Sequence, residues 1–157
     1  MLSRLFPRQV DNSFDGQRAA LWLLGLFIAL KLVMSVNSML NTAAIAIGDR
    51  LPLDSYGAAA TRTVLMLFAL MALGQLALAL IALTTLIRYR ALVPFIYLVL
   101  LGEQLARRLI VQGYAVPRTE TGPAVGYLTW GLLALLAIGL VLSLLPVRKR
   151  DSAHLAA

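Results

Sequence analysis

Long runs of apolar residues, each closed by polar residues, proline or glycine, divide the chain into four segments. Each segment reaches the roughly 20 mainly apolar residues that a helix needs to cross the hydrocarbon core of a bilayer. The segments cover residues 19–47, 58–87, 91–114 and 124–147. We therefore predict an all-α fold, a four-helix transmembrane bundle with short loops. Residues 1–18 are predicted to form a cytoplasmic N-terminal segment, and residues 148–157 a basic cytoplasmic tail.

The third segment is less regular than the other three. Its unbroken apolar run ends at Gly102, and Leu109–Val111 and Tyr114 restore a continuous apolar character further along. The interruption contains four polar residues, Glu103, Gln104, Arg107 and Arg108. We interpret the segment as a span because apolarity is restored before Pro117, and a tilted or re-entrant helix is the alternative.

Composition supports a membrane protein over a soluble enzyme. Hydrophobic residues make up 61% of the chain and charged residues 13%, against about 45–50% and about 25% in soluble domains. The chain has no cysteine, and its single histidine, His154, lies in the tail. Thiol redox chemistry, Cys/His zinc sites and histidine-ligated haem inside the bundle are therefore excluded, and we predict no cofactor and no metal site.

The formal net charge of +7 comes from cations whose distribution along the chain indicates the membrane topology. The tail, the N-terminal segment and the loop between the second and third segments carry eight cations: Arg4, Arg8, Arg18, Arg88, Arg90, Arg148, Lys149 and Arg150. Arg50, Arg62 and Arg118 lie on the other side. The positive-inside rule then places both termini in the cytoplasm, which makes the compartment the plasma or inner membrane in a bacterium. Because the cations mark orientation, we predict no nucleic-acid partner.

Two features of the N-terminal region have alternative interpretations. Ala44-Ile45-Ala46 resembles a signal-peptide cleavage site, but the preceding apolar run is too long for a signal peptide and contains Lys31. We therefore predict a retained span. Residues 1–18 mix leucine and phenylalanine with arginine and aspartate. They fit an interfacial helix and a short polar lead-in equally well.

Three polar residues fall at the same depth in different predicted spans. Lys31 lies 12 residues past Ala19, and Glu103 lies 12 residues past Ala91. Gln75 lies 12 residues before Ile87 on a helix that runs the opposite way. At 1.5 Å per residue all three lie about 18 Å from the cytoplasmic ends, near the bilayer midplane. Charges there are costly, so these residues are the first candidates for function.

Helical spacing extends this group into a predicted polar seam between the first three helices. Its members are Lys31, Ser35, Ser38, Asn41, Gln75, Glu103, Gln104, Arg107 and Arg108. We expect Glu103 to neutralise Lys31, Arg107 or both, as a structural ion pair or as a site that coordinates a proton, ion or ligand. In a third alternative, Lys31 snorkels and Glu103 pairs with Arg107 alone. The two adjacent arginines either extend to the outer headgroups or bind an anionic lipid or ligand.

The predicted function is association without catalysis. No Ser-His-Asp set, paired carboxylates or phosphate-binding glycine loop is present, so Glu103 is the one candidate base for a lipid-directed enzyme. We predict a small multi-pass accessory or scaffolding subunit, or a homo-oligomer, whose partners are the lipid bilayer and itself or another membrane protein. The alternative is binding or transport of a lipid, proton, ion or small molecule through Lys31, Gln75, Glu103 and Arg107.

Overall fold

The structure, a computed structural model, describes residues 5, 7, 9–114 and 123–146. It is all helical, with 84% helix and no strand in those ranges, which confirms the predicted fold class at the level of secondary structure. The described α-helices are α1 (Arg18–Leu40), α2 (Thr42–Gly48), α3 (Ala58–Arg88), α4 (Val93–Tyr114) and α5 (Pro123–Leu144). Single 3-10 turns at Leu53–Ser55 and Arg90–Leu92 lie in the connections that precede α3 and α4.

Two of these helices, α1 and α3, are long and apolar enough to cross a membrane. Their most apolar stretches have a mean hydropathy of 2.2 and 2.5. Helix α4 is long enough, but its apolar sequence is interrupted by the charged residues Glu103, Arg107 and Arg108. Helix α5 has 22 residues and contains the apolar stretch Thr129–Leu144.

The first predicted segment, 19–47, is interrupted at Asn41. Helix α1 ends at Leu40, and α2 begins at Thr42. Asn41 has a φ of −119° and a ψ of 40°, and its side-chain amide donates a 2.8 Å hydrogen bond to Oδ1 of Asn37. Asparagine side chains that bond locally compete with helix formation, which explains a break at this position.

The core lies toward one end of the molecule, which we call the N-terminal end and define by Gln17, Tyr89 and Leu144. It consists of residues from four helices: Ala20, Leu24, Phe27, Ile28, Ala82, Val93, Ile96, Tyr97, Leu100, Leu132 and Leu136. Helix α1 packs on α3 and α5, and α5 also packs on α4. Near the opposite end, the buried residues among those described are small or polar, for example Ser35, Ala46, Ala72 and Gln104.

The segment before α1 lies across the N-terminal end. The backbone N–H of Gln17 donates to the carbonyl of Leu142 at 3.1 Å, and that of Ala91 donates to Asp11 at 3.3 Å. Gly16 is buried against the Ser143 carbonyl, where a Cβ would collide with backbone. Hydrogen bonds from Ser13 hold the pKa of Asp11 below its ordinary value. The segment is therefore anchored to the helices at several points.

Several predicted features lie outside the described residues. These are the tail 148–157, the end of the fourth segment at residue 147, much of the segment 1–8, and residues 115–122 of the α4–α5 connection. The orientation prediction depends in part on cations in these regions.

Candidate functional site

Hydrogen bonds link four of the predicted seam residues across three helices. The Lys31 ammonium on α1 donates to Oε1 of Gln75 on α3 at 2.9 Å. The amide nitrogen of Gln75 donates to Oε1 of Glu103 on α4 at 2.8 Å. Arg107, one turn further along α4, donates to the same oxygen through Nε at 2.9 Å and also through Nη2. We call Lys31, Gln75, Glu103 and Arg107 the polar network.

The polar network lies where the apolar core ends. Lys31 follows the buried residues Phe27 and Ile28 along α1, and its ammonium lies 5.7 Å from the centroid of the Phe27 ring. A lysine at this distance from an aromatic face gains a cation–π attraction. Phe27, Lys31 and Gln75 also line a cavity of about 10 Å³, close to the smallest volume that holds a water molecule.

Glu103 and Arg107 form an ion pair within α4. Their side chains are 25% and 31% exposed. The remaining nitrogen of the Arg107 guanidinium, Nη1, reaches α3 and lies 3.7 Å from Sδ of Met71. Arg107 therefore holds the Glu103 carboxylate from its own helix while it contacts the same neighbouring helix as Gln75.

The arrangement has one carboxylate for two cations. Glu103 balances Arg107 directly and is joined to Lys31 only through the Gln75 amide, so the polar network carries a formal charge of +1. All three hydrogen bonds that Glu103 accepts end on Oε1. Oε2 accepts none from the residues that the structure describes. The network can therefore fix the register of three helices, and it retains one carboxylate oxygen able to accept a further donor.

The remaining predicted seam residues lie elsewhere. Ser35 is buried on α1, Ser38 is half-buried, and Asn41 is exposed and bonded to Asn37. Gln104 is buried in the row of α4 that contains Tyr97 and Leu100, and Arg108 lies one turn beyond it. The structure thus brings four of the nine predicted residues together and separates Gln104 and Arg108 into a second group.

Three contacts beside the polar network were missed by sequence reasoning. The hydroxyl of Tyr97, which is fully buried, donates to the Ala20 carbonyl at 2.6 Å, and its ring packs against Gly139. The Arg108 guanidinium carbon lies 4.0 Å from the centroid of the Trp130 ring. Arg108 and Trp130 lie six and seven residues from the helix ends that flank the α4–α5 connection. Nearly equal distances from a shared connection were the available signal.

Among the residues that the structure describes, no three histidine, cysteine, aspartate or glutamate side chains are grouped so as to hold a metal ion. Comparison of the chain with protein-family models, with curated proteins and with solved structures finds no match.

Proposed function

We propose that the protein is a small multi-pass integral membrane protein that acts by helix–helix association and not by catalysis. In this proposal α1, together with α2, and the helices α3, α4 and α5 form a four-helix transmembrane bundle with both termini in the cytoplasm. The protein serves as a homo-oligomer or as an accessory subunit of a larger membrane complex.

The observation that carries the proposal is the surface of α3. This helix has 31 residues, yet only 11% of its most apolar stretch is buried within the chain. Its exposed large apolar residues are Met66, Leu67, Leu70, Met71, Leu73, Leu80, Ile81 and Ile87. Monomeric soluble proteins rarely expose an apolar patch of this extent, so lipid and partner helices are its natural surroundings.

Small residues interrupt this apolar surface at its centre. Gly74 and Ala77 are exposed, and no atom of the described residues lies within 4 Å of the position that a Cβ on Gly74 would occupy. Small residues on a membrane helix allow another helix backbone to approach closely. The surface is therefore compatible with a packed helix, and we assign the association to this face of α3.

Leucine substitution tests the assignment. Gly74→Leu and Ala77→Leu are expected to reduce the particle purified in mild detergent from a discrete complex to a single chain, because the added side chains separate the helices. Gly131→Leu is the matched control, since Gly131 is an exposed helical glycine on α5 with nothing near its Cβ position. A complex that survives both α3 substitutions excludes this face.

Membrane topology is tested by cysteine labelling, for which the chain offers a background without cysteine. Asn12→Cys and Asp54→Cys place single thiols at exposed positions before α1 and before α3. In intact bacterial cells a membrane-impermeant maleimide is expected to label Asp54→Cys, and to label Asn12→Cys only after the membrane is opened. Equal labelling of both in intact cells would contradict the topology.

A second candidate function is binding or transport of a proton, ion or small ligand at the polar network. Its supporting observation is Oε2 of Glu103, which accepts no hydrogen bond from the described residues on a side chain that remains 25% exposed. Under this alternative, Glu103→Gln abolishes activity while the folded protein still accumulates. Under the association proposal, the same substitution reduces assembly or accumulation.

A further inference from the structure

Arg108 is held at the surface of the molecule by an aromatic ring. Its guanidinium stacks on Trp130, whose side chain is 57% exposed, with 4.0 Å between the guanidinium carbon and the ring centroid. Stacking leaves the edge of the guanidinium, with its hydrogen-bond donors, available to a planar or tetrahedral anion. Among the described residues, Arg108 forms no ion pair.

Gln104 presents a second donor one turn away on the same helix. Its side chain is 5% exposed, and its amide nitrogen has no hydrogen-bond partner among the residues that the structure describes. Residues four apart on a helix have Cβ atoms about 6 Å apart, so the buried Gln104 side chain and Arg108 are neighbours on one side of α4. A buried polar group without a partner is costly, which makes an absent acceptor the natural explanation.

The two side chains contribute donors and a positive charge but no acidic group. The nearest carboxylate along α4, Glu103, is already bound by Arg107 and Gln75. The missing partner should therefore be negatively charged and carry at least two acceptor oxygens. A phosphate or carboxylate group meets both conditions.

We propose that Gln104 and Arg108 form a binding site for an oxyanion, the phosphate or carboxylate of an acidic ligand, at the α4 surface beside Trp130. The polar network takes no part in this site, and the proposal does not depend on self-association. The acidic group comes either from a lipid headgroup, since the Trp130 side of the site is exposed, or from a free anion.

The fluorescence of Trp130 can report anion binding at this site. The chain has two tryptophans, so Trp22→Phe leaves Trp130 as the single reporter. The full-length protein is placed in nanodiscs of phosphatidylcholine with increasing phosphatidylglycerol, and separately in phosphatidylcholine nanodiscs with added inorganic phosphate. We expect a saturable change in Trp130 fluorescence with phosphatidylglycerol. A response to inorganic phosphate in its place supports the oxyanion site and assigns a free anion as its source.

Variants separate binding from folding. Arg108→Gln is expected to remove the fluorescence response, and Arg108→Lys to weaken it, because lysine keeps the charge but loses the flat stacked geometry. Gln104→Leu is expected to weaken binding about tenfold without loss of thermal stability, since it replaces an unsatisfied amide by an apolar group. Arg62→Gln is the control, as it removes an equal charge from an exposed position on α3.

Three results would overturn the proposal. The first is the absence of a saturable response to either phosphatidylglycerol or phosphate in the Trp22→Phe protein. The second is a loss of response in Arg62→Gln as large as in Arg108→Gln, which would indicate a diffuse charge effect. The third is a Gln104→Leu protein that keeps full affinity, which would show that the unpaired amide has no role in binding.

Discussion

Lys31 and Glu103, the two opposite charges placed at one depth by the sequence, are joined through an amide and not by a direct ion pair. Gln75 accepts from the lysine at 2.9 Å and donates to the glutamate at 2.8 Å. A glutamine can do this because its side chain carries an acceptor and a donor side by side. The two hydrogen bonds connect α1 to α4 through α3. Lys31 and Glu103 therefore both depend on Gln75.

Gln75→Leu should therefore destabilise the protein more than the loss of one hydrogen bond would. The substitution removes both bonds at once and leaves the Lys31 ammonium without its partner in a half-buried position. We expect the free energy of unfolding to fall by about 1–3 kcal/mol. Unfolding by added SDS in detergent micelles, followed by loss of helical circular dichroism, measures this change.

Gln112→Leu is the matched control for this prediction. Gln112 lies near the end of α4, is exposed, and makes no hydrogen bond through its side chain to the residues described. The Gln112→Leu substitution should leave the unfolding curve almost unchanged. Equal destabilisation by the two substitutions would show that the Gln75 bridge contributes nothing specific.

Exchanging the charges of Lys31 and Glu103 should restore the accumulation of folded protein only in part. In a protein with Lys31→Glu and Glu103→Lys, Gln75 can rotate its amide and bridge the new pair. In the unsubstituted protein Arg107 pairs with Glu103. In the double variant Arg107 would instead face a lysine at position 103, which has the same charge. We expect the double variant to accumulate less than the wild type, and the addition of Arg107→Glu to restore accumulation. The measurement is the amount of folded protein in the membrane fraction.

Two outcomes would contradict the charge-exchange prediction. If each single charge change accumulates as well as the double variant, the charges at positions 31 and 103 are not coupled. If the triple variant accumulates no better than the double, the charge at position 107 does not couple to position 103.

Gly139→Ala should distort the contact between α5 and α4. A Cβ on Gly139 would collide with the ring and hydroxyl of Tyr97, which is fully buried and bonded to Ala20. Overpacking of a filled core costs about 1–3 kcal/mol. Gly131→Ala on the same helix has open space around its Cβ and should stabilise by up to about 1 kcal/mol through helix propensity. Paired thermal unfolding curves test the difference in sign.

Tyr97→Phe isolates the hydrogen bond from the packing. The substitution keeps the ring that fills the core and removes the hydroxyl that donates to Ala20 across 77 positions of sequence. We expect a loss of about 0.5–1.5 kcal/mol in the free energy of unfolding. Combining it with Gly139→Ala in a double-mutant cycle should give a non-additive result, because the hydroxyl is one of the groups that the new Cβ would strike.

Helix content and the common level of three polar residues could be predicted from the sequence because both follow from the geometry of single helices. The common level of Lys31, Gln75 and Glu103 required only the rise per residue and the direction of each helix. The break at Asn41 was missed because the apolar run continues through it, while the competing bond to Asn37 is a local side-chain effect.

The partner of each side chain was harder to predict, since it depends on helix rotation. Glu103 and Gln104 are adjacent in the sequence, yet one joins the polar network and the other turns into the core row with Tyr97. A rotation of about 100° per residue separates them. Periodicity within one helix does not specify which neighbour it faces, so the sequence alone grouped both residues into one seam.

The central claim is that this chain works as part of an assembly in the membrane, and particle mass tests it most directly. The single chain has a mass of 17.0 kDa. Native mass spectrometry of the protein extracted from membranes in mild detergent should show a discrete complex, either a fixed multiple of this mass or this chain with a second subunit. Gly74→Leu should reduce it to one chain. A strictly monomeric wild-type particle under the same extraction would contradict the account.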